Sequence, residues 1–131
     1  NQTVNGKRLP IYHTNVMMCI AEEFCVICLD TIDDKKERKL VIDQLKKTGK
    51  EIIAISEEQM HQFAGNMLQV KNDQGEKFLV MSASAHNSLN AQQTAQISKY
   101  CQILSSDLNT IETCGGGSAR CMMAEIFLPK N

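Results

Sequence analysis

Phe24-Cys25-Val26-Ile27-Cys28-Leu29 is apolar throughout and stops at Asp30. A short run of this kind, rich in β-branched and aromatic residues, reads as a strand buried on both faces. Upstream, Val16-Met17-Met18-Cys19-Ile20 is a second apolar run, and Ala21-Glu22-Glu23 can turn the chain between the two. Downstream, Asp33 or Asp34 can cap a helix over residues 33–48, with Leu40, Val41 and Leu45 on one face. Lys46 and Lys47 fall in its last turn and Gly49 stops it. Glu51-Ile52-Ile53-Ala54-Ile55 then reads as a third strand. The order is strand, strand, helix, strand, which places the chain in the α+β class.

The same order recurs. Ser56-Glu57-Glu58-Gln59 is a capping box that opens a short helix to Phe63, and Ala64-Gly65-Asn66 ends it. Met67-Leu68-Gln69-Val70 is a strand, Asn72-Asp73-Gln74-Gly75 a turn, and Lys77-Phe78-Leu79-Val80-Met81 the returning strand. Asn90 can cap a helix through Ala95, Ile97 and Ile103, and Leu108 to Glu112 reads as another strand. Residues 121–127 read as a last strand ended by Pro129, and residues 7–13 as extended, with Pro10 limiting ladder bonding. The two units are offset by about fifty residues, a spacing at which repeats imply stacked or radial arrays. Two units leave sheet edges to cover, as in an incomplete ring. An ordinary α+β domain with this order by coincidence is the alternative.

A chain of 131 residues suits one domain. Lys and Arg number 14 against 15 Asp and Glu, and this balance argues against a nucleic-acid surface. No apolar run is long enough for a membrane helix and no leader pattern is present. The chain opens on Asn1-Gln2-Thr3, which suggests a processed or truncated piece of a longer protein. The cysteines number six, an even count that would suit disulfides. Cys19, Cys25 and Cys28 lie inside apolar runs, however, so reduced thiols and a cytoplasmic location are expected. Cys25 and Cys28 have zinc-like spacing, but Val26 and Ile27 between them put the thiols on opposite faces of a strand, so no metal is expected. The pairs Met17-Met18 and Met122-Met123 read as core packing, and residues 33–38 as a solvated helix start.

Chemistry concentrates in Cys114-Gly115-Gly116-Gly117-Ser118-Ala119-Arg120-Cys121. A Gly-rich bend can bring backbone donors close to a ligand, and it ends here in a cysteine, making Cys121 a candidate nucleophile. Such a thiol needs a base, and the chain offers His13, His61 and His86. His61 sits among glutamines on the short helix and reads as solvated. His13 ends an extended stretch with Asn15 two residues on, on the same face of the backbone, and ranks slightly above His86.

Tyr12-His13-Thr14-Asn15-Val16-Met17, together with Gly115-Gly116-Gly117-Ser118-Ala119-Arg120-Cys121-Met122, resembles the two C-terminal motifs of the guanidine-modifying, or pentein, superfamily. That superfamily includes arginine deiminases, amidinotransferases and dimethylarginine hydrolases, and the match is best to the amidinotransferase-like branch of citrulline-utilisation hydrolases. The resemblance implies a propeller of ββαβ units, of which residues 1–131 would be the C-terminal part: about two units of an incomplete ring. It implies Cys121 as nucleophile and His13 as general acid/base, with no cofactor. Asn15 falls where arginine-processing relatives carry an Asp. A carboxylate matches a cationic guanidinium, whereas Asn suits a neutral ureido group; the alternative is that Asn15 closes an Asx turn.

The implied reaction is hydrolysis of a ureido or guanidino amino acid through a covalent thio-intermediate. Gly116, Gly117 and Ser118 would contact the substrate, with backbone donors stabilising developing charge. The partners are then the small-molecule substrate and either the N-terminal half of the same protein or another copy, with neither nucleic acid nor membrane. Substrate-gripping acidic residues of the family come largely from its N-terminal half, so the chain alone is expected to be poorly active. The alternatives are an amidinotransferase or arginine-deiminase-type enzyme, and a non-catalytic ligand-binding or structural module.

Overall fold

The computed structural model describes residues 1–126. A hairpin, β1 (Gln2–Val4) and β2 (Lys7–Leu9), leads into one helical turn, α1 (Thr14–Met17). The first mixed sheet follows: β3 (Met18–Ile20), β4 (Phe24–Ile27), then α2 (Lys35–Lys47) and β5 (Glu51–Ala54). β4 is central, antiparallel to β3 and parallel to β5. α3 (Glu57–His61) connects to the second sheet, β6 (Leu68–Lys71), β7 (Lys77–Ser82) and β8 (Gln102–Ser106). There β7 is central, antiparallel to β6 and parallel to β8, so the two sheets share one pattern of directions. α4 (Ala83–Ser88) and α5 (Ala91–Ser98) fill the second crossover, and α6 (Asn109–Gly115) follows β8.

The continuous apolar run over β4 is explained by burial on both faces. Phe24, Val26 and Cys28 enter the main core with Leu79 and Met81 of β7, while Cys25 and Ile27 pack with Leu45 of α2. The cysteine pair therefore does divide between opposite faces. Local signals set the helix starts. The Asp34 carboxylate accepts from the N–H groups of Lys36 and Glu37. Ser56 with Gln59, and Asn90 with Gln93, form full capping boxes. The two box glutamines also bond to each other, at 2.7 and 3.0 Å, which locks α3 to α5.

Several expectations need correction. The strand read over residues 16–20 begins only at Met18, because α1 occupies Thr14–Met17. β-branched Thr14 and Val16 disfavour a helix, but the turn is held from outside, the Met17 carbonyl accepting from the Cys28 N–H at 2.9 Å. The helix capped by Asn90 ends at Ser98, and Ile103 lies in β8. Ser82 caps α4, unread in the sequence, through the Ala85 N–H at 3.1 Å. Residues 108–112 are not a strand. Asn109 starts α6, with the Asp107 carboxylate on its N–H at 3.0 Å, and Gly116 ends the helix at φ 67°, a left-handed stop. The strand read over residues 121–127 is absent from its described part: a 3-10 turn spans Ala119–Met122, and residues 123–126 have no regular structure. Phe127 and Pro129 lie outside the described residues.

No disulfide joins any of the six cysteines. Among the described residues no helix is long and apolar enough to cross a membrane, and no cluster of His, Cys, Asp and Glu has the arrangement of a metal site.

Candidate active site

Three chain segments meet around Cys121. α1 brings His13, its N-cap, and Asn15. The stretch after α3 brings Phe63 and Asn66. The glycine loop brings Gly116 and Cys121 itself. These residues line one cleft of about 180 Å³. Tyr12, also on its wall, sets its ring edge-on to that of His13 at 5.1 Å. The N-terminal hairpin closes the wall with Gln2, and Arg8 pins that hairpin to the body through Asp33 and Glu57.

The sulfur of Cys121 lies among carboxamides. Asn66 Nδ2 donates to it at 3.2 Å, and Asn15 Nδ2 approaches at 3.9 Å. Gly117 packs directly on this cysteine: a Cβ there would stand 3.2 Å from Cys121 Cβ and 3.3 Å from Sγ. The other thiols differ in kind. Burial pushes Cys19 up to about 12 and Cys25 to about 11, and it also raises Cys28 and Cys101. Such thiols stay protonated at neutral pH and are inert as nucleophiles. Cys114 and Cys121 are exposed.

The predicted site residues separate into two groups. His13, Asn15, Gly116 and Cys121 come together in the cleft. Gly116 spends its N–H on the Glu112 carbonyl at 3.2 Å, as the end of α6, so that donor is already engaged. Gly117 contributes by its closeness to Cys121. Ser118 is fully buried, and its hydroxyl donates to Glu112 Oε1 at 2.6 Å. Ser84 holds the other oxygen of the same carboxylate at 2.8 Å. Glu112 and Ser118 thus tie the two ends of the glycine loop and anchor them to α4, which leaves the Ser118 side chain no access to a ligand.

Of the other histidines, His61 is an exposed residue at the end of α3, as the sequence had it, and it also lines the cleft. His86 sits against Ser105 at 3.2 Å and is not part of the cleft lining. Asn66 escaped the sequence reading altogether, having been taken only as the end of a helix. The available signal was Gly65 beside it: a glycine that interrupts an apolar stretch can mark a close backbone approach, and here it does.

One comparison with known proteins gives a family, and another bears on the fold. A family model described as N,N dimethylarginine dimethylhydrolase, eukaryotic, matches residues 1–128. No curated protein sequence matches the chain. Among solved structures, the apo crystal structure of ArgZ, an arginine dihydrolase from the ornithine–ammonia cycle in cyanobacteria, superposes with a TM-score of 0.62 at 15% identity. The match covers 84% of this chain and 15% of that one, so the chain spans a small part of that relative's length. At this identity the likeness concerns the fold.

Proposed function

The chain belongs to the family of the eukaryotic N,N-dimethylarginine dimethylhydrolase model, and on that premise we propose that it carries the nucleophile-bearing part of a hydrolase that cleaves a C–N bond of a guanidino or ureido amino acid. The observation that carries the proposal is the convergence of Cys121, His13 and Asn15 on one cleft. The Cys121 thiolate attacks the central carbon and forms a C–S bond. His13 gives a proton to the departing amine as its C–N bond breaks. His13 then takes a proton from water, whose oxygen attacks the same carbon; the C–S bond breaks and the thiolate returns. The likeness to ArgZ, an arginine dihydrolase, favours water over an amine acceptor in the second step.

Asn15 favours a neutral ureido substrate such as citrulline, since its carboxamide can both donate to and accept from that group. In the same proposal the two three-stranded sheets are neighbouring ββαβ units of a pentein-type propeller. The remaining units, and the acidic groups that grip the substrate, come from further sequence of the same protein or from another copy. A reducing compartment belongs to this reading, because oxidation removes the thiolate.

The test is release of amine or ammonia from citrulline, arginine and dimethylarginine, by the chain alone and by any longer polypeptide that contains it. Turnover lost in Cys121→Ser, with preference moving toward arginine in Asn15→Asp, is the expected result. Turnover that survives Cys121→Ser overturns the proposal, and equal turnover by the short and long chains removes the need for further units.

A further inference from the structure

Asn66 is only 4% exposed, yet it stands in the wall of the cleft. Two unusual backbone features put it there. Phe63 takes φ 65°, the left-handed region that bulky residues avoid, and its carbonyl receives the Asn66 N–H at 2.8 Å. Gly65 then presses on the α1–β3 junction so closely that a Cβ would meet the Val16 carbonyl oxygen at 2.4 Å. Strain and close approach of this kind persist only where the surroundings impose them, and they gather at functional sites.

Backbone partners of fixed polarity decide how the Asn66 carboxamide is turned. The Arg120 N–H donates to Oδ1 at 3.1 Å, and Nδ2 donates to the Asn15 carbonyl at 3.2 Å. A flipped amide would face donor to donor and acceptor to acceptor, so neither bond survives a flip. The second Nδ2 hydrogen is left pointing at Cys121 Sγ, 3.2 Å away. Oδ1 lies 3.6 Å from the same sulfur and can accept from a protonated thiol. One neutral group can therefore serve both protonation states of the sulfur, and its stronger, donating contact favours the thiolate.

We propose that Asn66 is the positioning residue of the Cys121 thiolate: it holds the sulfur between α1 and the glycine loop and stabilises its charge by an N–H···S hydrogen bond. The proposal rests on Cys121 being the nucleophile. Asn66 itself acts through that sulfur and need not touch substrate.

The test is site-resolved iodoacetamide labelling, read by mass spectrometry against pH, with exposed Cys114 as internal reference. In Asn66→Asp the donor becomes a carboxylate. The Cys121 labelling midpoint should rise by about one pH unit, with labelling near neutral pH about tenfold slower, and Cys114 should not change. Asn66→Ser should give a smaller shift in the same direction. Unchanged Cys121 midpoints in variants that still melt cooperatively overturn the proposal. Should neither variant fold, the native protein decides by NMR. The Asn66 side-chain amide resonances should titrate with the Cys121 midpoint and stop doing so in Cys121→Ser; resonances that stay flat overturn the role. Turnover separates this proposal from the one it rests on. Survival of activity in Cys121→Ser defeats the nucleophile itself, whereas activity that needs Cys121 beside unshifted Asn66 variants defeats only the positioning role.

Discussion

Replacing Gly65 by alanine adds one methyl group at the tightest backbone contact of the site. The new Cβ would stand 2.4 Å from the Val16 carbonyl oxygen, 2.9 Å from the Met17 carbonyl carbon and 3.0 Å from the Met18 nitrogen. Ordinary contact begins near 3.4 Å, so the two segments must separate by roughly 1 Å. None of the opposing atoms is a side-chain tip that could swing away. The Met17 carbonyl is tied to Cys28 at 2.9 Å, and the bond from Asn66 to the Asn15 carbonyl, 3.2 Å, would be lost. Overpacking costs about 1–3 kcal/mol, and the lost bond to the half-buried Asn15 carbonyl costs about 0.5–1.5 kcal/mol. The expected destabilisation is therefore about 1.5–4.5 kcal/mol, or roughly 5–16 °C in Tm for a domain of this size. Urea unfolding followed by circular dichroism measures it, with Gly115→Ala as control. Gly115 ends α6 with nothing near its added Cβ, so alanine there should be neutral or stabilising by up to about 1 kcal/mol. Separation of Asn15 from Asn66 should also slow Cys121 labelling. A loss under about 0.5 kcal/mol in Gly65→Ala, equal to that in the control, would refute the claim that this contact holds the site.

Gly117→Ala tests the loop rather than the frame: its Cβ would lie 3.2–3.3 Å from the Cys121 side chain. Labelling of Cys121 should slow severalfold while stability changes by less than about 1 kcal/mol, and an unchanged labelling rate would contradict the packing. Ser118→Ala leaves Glu112 Oε1 without its 2.6 Å donor in a buried setting. It should cost about 1–3 kcal/mol, measured by urea unfolding, and a neutral result would mean that this bond does not hold the loop. Acid should loosen the N-terminal hairpin. Asp33 is held below the usual carboxylate range by hydrogen bonds from Asn1 and Arg8. Glu57 is also held low, because the Thr3 N–H and Arg8 outweigh the opposing effect of burial. Lowered carboxylate values give stability that is fully present above the ordinary range, about pH 4 to 4.5, and lost as pH falls from there through the lowered values. The Tm loss between about pH 5 and pH 3 should shrink in Arg8→Met, and an undiminished loss would place the acid-sensitive contacts elsewhere.

Much of this molecule was legible residue by residue. Asp34, Ser56 and Asn90 start helices because a cap needs only a side-chain oxygen and the N–H groups two or three residues on. The β4 run was legible because burial on both faces leaves no room for a polar residue. The order strand, strand, helix, strand was legible from the spacing of such runs, while the strand directions came from the structure. The pairing of His13 and Asn15 with the glycine loop came instead from the resemblance of two motifs, about a hundred residues apart, to the pentein superfamily; the residues alone ranked His13 only slightly above His86.

Where local preference and tertiary contact disagreed, the sequence misled. Thr14 and Val16 favour extended backbone, yet Met17 is held in a helical turn by Cys28 and crowded by Gly65. Thr110 and Ile111 suggested a strand, but Asp107 starts a helix and Gly116 stops it. By itself, then, the sequence determined the buried strands, the capped helices between them and the candidate nucleophile. Only the tertiary structure decided that Asn66 faces that nucleophile and that Ser118 turns away to Glu112. The physical reason is range. A cap or an apolar run is written within a few residues, whereas the surroundings of the Cys121 sulfur are set by segments more than fifty residues apart, brought together by a glycine too tightly packed to be anything else.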